Sequence, residues 1–522
     1  MNAVTSNATT SNTTPDGDSR WTYARLLGLI TFLGMLLRLT RLGAQSIWID
    51  EGMTIAWIGE IESVGWGSLL DNIHGPLHAA AIYLVSRVSM DEWWLRLPSA
   101  VAGTLAIPAV ARMGRCLWSP RVGLTAAALL AVSPFALYYA QEVRNYAFTI
   151  LFASCVLSAA WSLVERPSWR RGAFLAVFEL LAISSNLNGV FLALGLNLWV
   201  LFALARERRA WSMWLVPHVV LVLVLVPYAW HAQRQVRPER LVGVETDVGS
   251  EQPLRGETTL HPMSLPYTAF AFAAGYSLGP TLEELRADPS AAAQRRHWAI
   301  LAAVVLGFGI PLVAGVFGPG ARARMAPLLS VALVVVGFTV WLAVTNVKPF
   351  NVRYMSVLLP VYVVLVARGL WRLPRTWRML SAALALIVSL VSCANYLFVP
   401  RYGRDDARGA VRYVLRHAQP DDLVIHINLG FPLLYYDVLP QRVQHAEPRA
   451  GVSLEAAHAY VERIVADHAG LWFLESRSAQ LDPHGYLRRA CEERAWRFDT
   501  HPFVGIRVHH FEFRNDSHDS GS

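Results

Sequence analysis

Long apolar runs recur along the chain between Leu26 and Phe398. Each run is long enough to cross about 30 Å of hydrocarbon as an α-helix, which needs roughly 20 residues. We predict about eleven such spans, near residues 22–40, 95–116, 122–139, 146–164, 172–189, 190–205, 212–230, 298–317, 326–345, 354–370 and 378–398. The pattern therefore predicts a polytopic α-helical membrane protein.

After residue 399 the pattern changes to short, alternating segments. Helical periodicity appears at residues 405–418, 454–469 and 482–495, and strand-like alternation at 422–428, 470–476 and 504–513. These segments predict a small α/β domain over residues 400–522. The Ser, Thr and Asn-rich residues 1–19 are expected to be a disordered tail, and residues 20–399 a transmembrane domain.

Composition agrees with a membrane protein, because 54% of the residues are hydrophobic and only 16% are charged. The net charge of +8 does not indicate nucleic acid, since the arginines form short clusters between the apolar runs. Lys and Arg favour cytoplasmic loops. We therefore expect a multi-pass protein of the plasma (inner) membrane, with a cytoplasmic N-terminus and with residues 41–94, 231–297 and the C-terminal domain outside.

Two apolar stretches are too short to span and are expected to lie flat at the outer interface, Pro76–Val88 and Leu265–Leu278. The four cysteines form no CxxC motif, and no third ligand accompanies His74 and His78, which bracket Pro76. We predict neither a metal site nor a cofactor. The two histidines are expected to cap the flat helix or to contact a substrate.

Three groups of polar residues stand at predicted outer helix ends. Asp50 and Glu51 follow the first span, and are either the first-turn carboxylates of a surface helix or functional groups. The other candidates are Gln141, Glu142, Arg144 and Tyr146 at the third span, and Lys348, Arg353 and Tyr354 at the ninth. The alternatives are a snorkelling Arg144 paired with Glu142, and ordinary variation in loop charge. Ionisable groups at such depth more often mark function.

The segments SIWIDE, HGPLH, LRLPSAVAGTLAIPAVARMGRCLW and SPFALYYAQEVRNYA occur in this order. In this order they resemble the polyprenyl-phosphate-sugar-dependent glycosyltransferases of the GT-C fold, a group that includes protein O-mannosyltransferases and lipid A aminoarabinose transferases. The resemblance covers roughly residues 20–400 and implies that Asp50 is the catalytic base, with Glu51 supporting it or binding acceptor. The family's HPPL element matches His74 to Leu77 only in part, because Gly75 replaces the first proline.

The resemblance implies inverting transfer of a sugar from a polyprenyl-phosphate donor to an extracytoplasmic glycan, lipid or protein, with Arg144 and Arg353 stabilising the released phosphate. The partners are then the donor, the acceptor and the bilayer. A lipid or solute transporter is the alternative, and a non-catalytic membrane subunit is a third. No segment identifies the sugar or the acceptor, and the C-terminal domain is a candidate for choosing the acceptor.

Overall fold

The computed structural model describes residues 17–71, 75–205, 207–235, 260–280, 284, 294–317, 322–345, 348, 350–436, 443–446, 451, 453–466, 468–476, 482 and 484–514. The predicted tail up to residue 16 and His74 lie outside this described part. The same holds for most of the predicted outer loop 231–297.

The described residues before residue 400 are mainly helical. In chain order the helices are α1 Gly17–Leu39, α2 Ile49–Val64, α3 Pro76–Ser86, α4 Glu92–Leu117, α5 Pro120–Ala131, α6 Pro134–Ala140, α7 Tyr146–Glu165, α8 Trp169–Ser185, α9 Asn188–Leu204, α10 Arg208–Gln235, α11 Ser264–Ala274, α12 Trp298–Val304, α13 Ile310–Val316, α14 Arg322–Val344, α15 Leu359–Arg372 and α16 Arg375–Phe398. A π-helical segment, Val305–Gly309, joins α12 to α13, and a 3₁₀ segment, Val352–Leu358, precedes α15.

Eight helical segments in the described residues are long and apolar enough to cross a membrane, or nine if the bent pair α5–α6 counts as one span. In this count α12 and α13 form one segment, Arg295–Val316, and the 3₁₀ segment before α15 is joined to it as Val352–Arg372. This confirms a polytopic membrane protein. Helices also occupy the remaining two predicted spans, as α8 and α9, but each has only 17 residues. The total of eleven therefore stays a prediction. Many large apolar side chains on the spans are exposed, as expected for helices that face lipid.

The predicted third span is bent by 59° between α5 and α6. Pro134 begins the second half and cannot donate a backbone hydrogen bond to the first. Arg38 of α1 replaces the missing donors, because its guanidinium donates to the carbonyls of Leu130 and Ala131 at 3.0 Å each. The bend directs the residues after α6 into the candidate site.

Two short helices lie where the flat interfacial segments were predicted. Helix α3 covers residues 76–86 and α11 covers 264–274. Both are too short to span a bilayer. His261, just before α11, accepts a hydrogen bond at 3.1 Å from the backbone N–H of Met263, so its side chain stabilises the turn that leads into that helix.

The residues after 399 form a mixed five-stranded sheet flanked by helices. The strands are β1 Leu423–Ile427, β2 Val443–His445, β3 Gly470–Glu475, β4 Arg497–Phe503 and β5 Ile506–Glu512, in the order β2-β1-β3-β5-β4. The helices are α17 Ala407–His417, α18 Gly430–Tyr435, α19 Leu454–Val465 and α20 Tyr486–Arg494. Alternate residues of β1 and β3 pack on α17 on one face and on α19 and α20 on the other. The sequence pattern did not predict β4 as a strand.

Candidate active site

Helix α2 presents two adjacent carboxylates in its first turn, where the helix dipole favours negative charge. Its N-cap residue, Trp48, makes no side-chain cap and instead donates its indole N–H to Glu142 at 3.1 Å. Asp50 and Glu51 are consecutive, so their side chains leave the helix in different directions. The two acids therefore have different neighbours.

Glu51 is fully buried and held by arginine. Arg96 of α4 donates from two nitrogens, at 2.9 Å to Oε1 and 2.8 Å to Oε2, and the backbone N–H of Val143 donates to Oε1 at 2.8 Å. Arg404 adds a longer contact at 3.4 Å. Burial alone would raise the pKa of Glu51, but the Arg96 and Arg404 charges outweigh it and the pKa lies below its ordinary value. Glu51 is thus ionised, and both of its carboxylate oxygens accept hydrogen bonds from within the protein.

Arg96 also fixes the loop between α1 and α2. Its remaining hydrogen bonds go to the carbonyls of Leu42 at 3.1 Å, Gln45 at 2.8 Å and Ser46 at 3.0 Å. Since a guanidinium offers five donors in a rigid fork, one side chain can hold the loop and Glu51 together. The loop that leads into Asp50 is therefore fixed from the α4 side.

The C-terminal domain holds the same loop from the other side. Arg404 donates to the carbonyls of Gln141 at 2.8 Å and Tyr138 at 3.2 Å, and its guanidinium lies 4.9 Å from the Tyr138 ring centroid. The hydroxyl of Tyr436 accepts from the backbone N–H of Ile47 at 2.8 Å. Gly52 of α2 packs so closely on α18 that an added Cβ would lie 2.9 Å from Phe431 Cβ. The domain therefore contributes directly to the position of α2.

Asp50 lies on the opposite side and keeps 15% of its side chain exposed. Its carboxylate forms an ion pair with Arg353, from the 3₁₀ segment that precedes α15. Arg144 donates to the backbone carbonyl of Asp50 at 3.3 Å and to the hydroxyl of Thr54 at 3.0 Å. The structure thus brings the predicted acid and both predicted cations together from three distant parts of the chain.

Glu142 is a third carboxyl group of the site and is also buried. One oxygen accepts from Trp48, and the other has no hydrogen-bond partner among the described residues. Burial raises the pKa of Glu142 to about 7, against the opposing charge of Arg404. No ion pair joins it to Arg144 in the described part of the chain, so the alternative of a simple Glu142–Arg144 pair is not what the structure contains.

Gln141 is placed differently from its neighbours. Its side-chain amide donates to the carbonyls of Arg38 at 2.9 Å and Thr40 at 2.8 Å, which are left without helical partners at the end of α1. Both amide protons are therefore occupied within the protein. A substrate contact by Gln141 stays a prediction, and its side-chain NH₂ group has no free hydrogen-bond donor for it.

A small cavity lies beside Asp50 and contains His78. The Nε2 atom of His78 and the Nε atom of Arg144 are both buried without a hydrogen-bond partner in the described residues. Burial and, to a smaller extent, the charge of nearby Arg144 together lower the pKa of His78 to about 3, so the imidazole is neutral. The other residues that line the cavity are Thr54, Trp57, Gly75, Ala79 and Asn145.

The remaining candidates, Lys348, Tyr354 and Tyr146, lie close to Arg353. Lys348 is exposed, with its ammonium 4.5 Å from the ring centroid of Tyr354, and the Arg353 guanidinium is 5.6 Å from the same ring. Tyr146 is buried at the start of α7 and packs edge-on against Tyr139, with 4.8 Å between ring centroids. The side of the site that carries Asp50 is thus cationic and aromatic.

Arg96 and Arg404 are the site residues that sequence reasoning missed. Arg96 lies at the predicted outer end of the second span, against the usual charge bias, and this signal could have identified it. Arg404 lies in a charged segment after the last span and has no such signal. The described residues contain no group of three or more His, Cys, Asp or Glu side chains arranged to hold a metal ion.

Comparison with known proteins gives a consistent picture. Residues 73–231 match the family model described as dolichyl-phosphate-mannose-protein mannosyltransferase. No curated protein matches the chain by sequence.

Solved structures match nearly the whole chain. ArnT from Cupriavidus metallidurans in the apo state is 15% identical with a TM-score of 0.55, over 94% of this chain and 98% of that one. The structure of the same protein bound to undecaprenyl phosphate is 13% identical with a TM-score of 0.53, over 94% of this chain and 97% of that one. The archaeal oligosaccharyltransferase AglB from Archaeoglobus fulgidus, in complex with an inhibitory peptide and a dolichol-phosphate, is 12% identical with a TM-score of 0.52, over 94% of this chain and 74% of that one. These similarities confirm the resemblance at the level of the fold.

Proposed function

From the premise that this chain has the GT-C fold, we propose that it is a membrane glycosyltransferase whose donor is a sugar linked to polyprenyl phosphate. The observation that carries the proposal is the Asp50–Arg353 ion pair beside Arg144, because it joins a partly exposed base to two cations. The matched ArnT structure with undecaprenyl phosphate bound supports the class of donor. The family match over residues 73–231 supports the class of reaction.

The proposed reaction is a single displacement. The carboxylate of Asp50 accepts the proton of an acceptor hydroxyl, whose oxygen forms a bond to the anomeric carbon as the bond from that carbon to the phosphate oxygen breaks. The electron pair of the broken bond leaves with the polyprenyl phosphate. Attack from the face opposite the leaving group inverts the anomeric configuration.

Arg353 and Arg144 are proposed to stabilise the phosphate as its charge increases. Arg353 is already paired with Asp50 in this structure. A donor phosphate that takes over Arg353 would release Asp50 to act as a base. Asp50 would then become available as a base only when the donor binds. While the site is empty, Asp50 would stay paired with Arg353.

Glu51 is proposed to position the site and not to contact the acceptor, since both of its oxygens are occupied by Arg96 and by the backbone of Val143. The His78 cavity is proposed to take a polar group of the substrate. A hydroxyl there could donate to the neutral imidazole and accept from Arg144 Nε, which satisfies two buried atoms at once. His74, Lys348, Tyr146 and Tyr354 are proposed as further substrate contacts.

The acceptor is proposed to be an extracytoplasmic glycan, lipid or protein, with the site and the C-terminal domain on the outer side of the plasma membrane and the N-terminus inside. The C-terminal domain holds the loop before Asp50 through the backbone N–H of Arg404, which donates to the side chain of Gln45, and through the hydroxyl of Tyr436, which accepts from Ile47. This contact supports a role in the geometry of the site, in addition to the proposed role in choosing the acceptor.

The test is transfer of radiolabelled sugar from a panel of polyprenyl-phosphate sugars in membranes that contain wild type, Asp50→Asn or Glu60→Gln. Glu60 is exposed on the same helix and is the matched control. We expect transfer by wild type and by Glu60→Gln, and loss in Asp50→Asn with normal folding. Undiminished transfer by Asp50→Asn would remove Asp50 from the mechanism. Absence of transfer by wild type from every donor would favour a carrier.

A further inference from the structure

A second cavity of about 540 Å³ lies between α4, α7 and α8, away from the carboxylates. Helix α7 begins at the candidate site with Tyr146, and the cavity is lined by Cys155, Ser158 and Ser162 further along that helix. At 1.5 Å per residue these positions are roughly 14 to 24 Å from Tyr146. The cavity is therefore separate from the proposed active site.

The walls of this cavity are largely apolar. Phe174 and Phe178 of α8 form one wall, with 6.4 Å between ring centroids, and small residues of α4 and α7 form the other. Phe174 is 59% exposed on the outside of the helix bundle. Because α8 faces lipid there, the cavity is accessible to a hydrocarbon chain from the bilayer.

Three arginines stand around the same cavity, Arg112, Arg170 and Arg171. Arg171 is partly used, since it donates to the carbonyls of Ser162 at 3.1 Å and Arg166 at 2.5 Å at the end of α7. For Arg112 and Arg170, no carboxylate lies at ion-pair distance among the residues that the structure describes. An apolar slot with an excess of positive charge is complementary to an anionic amphiphile.

We propose that this cavity binds an anionic phospholipid of the bilayer. The phosphate lies between Arg112 and Arg170, and an acyl chain lies along Phe174 and Phe178. The arginines belong to clusters that the sequence places on the cytoplasmic side, where anionic lipids give the membrane a negative surface. Guanidinium groups suit this role because they bind phosphate oxygens through two parallel hydrogen bonds.

The occupant is a bilayer phospholipid and not a nucleotide or a free sugar phosphate, because the walls of the cavity are largely apolar and Phe174 is exposed on the outside of the helix bundle. The proposal does not depend on the proposed glycosyltransferase reaction. It predicts a bound lipid that contacts α4, α7 and α8 together, and such a lipid would stabilise the packing of these three helices.

The experiment is native mass spectrometry of the full chain, purified in detergent and incubated with phosphatidylglycerol, phosphatidylethanolamine or a polyprenyl phosphate. The variant is Arg112→Gln/Arg170→Gln. Its matched control is Arg208→Gln/Arg209→Gln, which removes two exposed arginines of α10 that do not line the cavity. Thermal unfolding of each protein in detergent checks folding, and Arg112→Lys/Arg170→Lys restores the charge if the glutamines disturb the fold.

We expect phosphatidylglycerol to bind more tightly than phosphatidylethanolamine. Its affinity should fall about thirtyfold in the glutamine variant, which corresponds to about 2 kcal/mol for the loss of two arginine charges near the membrane surface. The lysine variant and the α10 control should retain binding. Equal binding of the two phospholipids, or an equal loss in the α10 control, would overturn the proposal. Preferential displacement of phosphatidylglycerol by polyprenyl phosphate would also overturn it, because the occupant would then be a different lipid.

Discussion

Asp50 and Glu51 are neighbours in the sequence, but they belong to two different regions of the molecule. Glu51 faces a dry region built by α4 and the C-terminal domain, where Arg96 and Val143 occupy its oxygens. Asp50 faces a partly open region built by the 3₁₀ segment and Arg144, where Arg353 forms an ion pair with its carboxylate. The difference indicates that the two acids have separate roles, with Glu51 stabilising the site and Asp50 proposed to act in the reaction.

Substitution of Asp50 should have the largest effect on activity and little effect on stability. Asp50→Asn removes the proposed base and should lower transfer by roughly 10² to 10⁴-fold, the usual contribution of a positioned proton acceptor. The measurement is the initial rate of sugar transfer at saturating donor, with thermal unfolding of the same sample. A fall in stability as large as that of Glu51→Gln would mean that the two acids have similar roles.

Substitution of Glu51 should show the reverse pattern. Glu51→Gln leaves Arg96 and Arg404 buried without their counter-charge, which typically costs about 3 to 5 kcal/mol. We expect a large loss of thermal stability in purified protein.

The combined change Glu51→Gln/Arg404→Gln tests whether this loss comes from the buried charges. It should cost less than the sum of the two single changes, because the second substitution removes a cation that the first left unbalanced. Strict additivity would contradict this explanation.

Glu142 lies between the two regions, and its proton should appear in the pH dependence of stability. Its pKa is raised from 4.5 to about 7, so between these values the folded protein holds a proton that the unfolded chain has released. The free energy of unfolding should therefore decrease as pH rises from about 4.5 to 7, by at most roughly 3 kcal/mol. Glu142→Gln should flatten this part of a series of unfolding measurements. An unchanged slope would show that other groups cause it.

Lys348 should have the smallest effect, because it is exposed and its ammonium lies against the ring of Tyr354 at the edge of the Asp50 side. Lys348→Ala should lower transfer less than tenfold, since exposed cation–π contacts contribute about 0.5 to 1 kcal/mol. A rise in KM for the donor with kcat unchanged would indicate that Lys348 binds the phosphate but does not act in the chemical step. A loss comparable to that of Asp50→Asn would place Lys348 in the reaction itself.

Much of the helical part was predictable because a bilayer requires apolar segments of defined length. Helices occur at each predicted span, and the short helices α3 and α11 occur at residues 76–88 and 265–278, where interfacial segments were predicted. The angle of the bend between α5 and α6 was not predictable from the sequence. Pro134 signals a break, but the guanidinium of Arg38 that satisfies the open carbonyls comes from another helix.

The sequence identified most residues of the candidate site, but not which of them contact Asp50 and which contact Glu51. The acidic pair, Arg144 and Arg353 were identifiable from charge at helix ends, and the structure brings Asp50, Arg144 and Arg353 together. The sequence could not assign Arg96 and Arg404 to Glu51, because that choice depends on contacts between residues far apart in the chain. Gln141 looked like a ligand for the same reason that it caps α1, since both roles require a polar side chain at a helix end.

The contact between Arg404 and Glu51 joins residues that are 353 positions apart, and this sets an order for biosynthesis. A ribosome adds roughly 5 to 20 residues each second, so Glu51 enters the membrane region tens of seconds before Arg404 exists. During that interval Glu51 has Arg96 as its guanidinium partner, and the loop before α2 is held from one side only. The nascent protein therefore inserts as an incomplete bundle, and the site reaches its final form only after the last membrane helix has been synthesised.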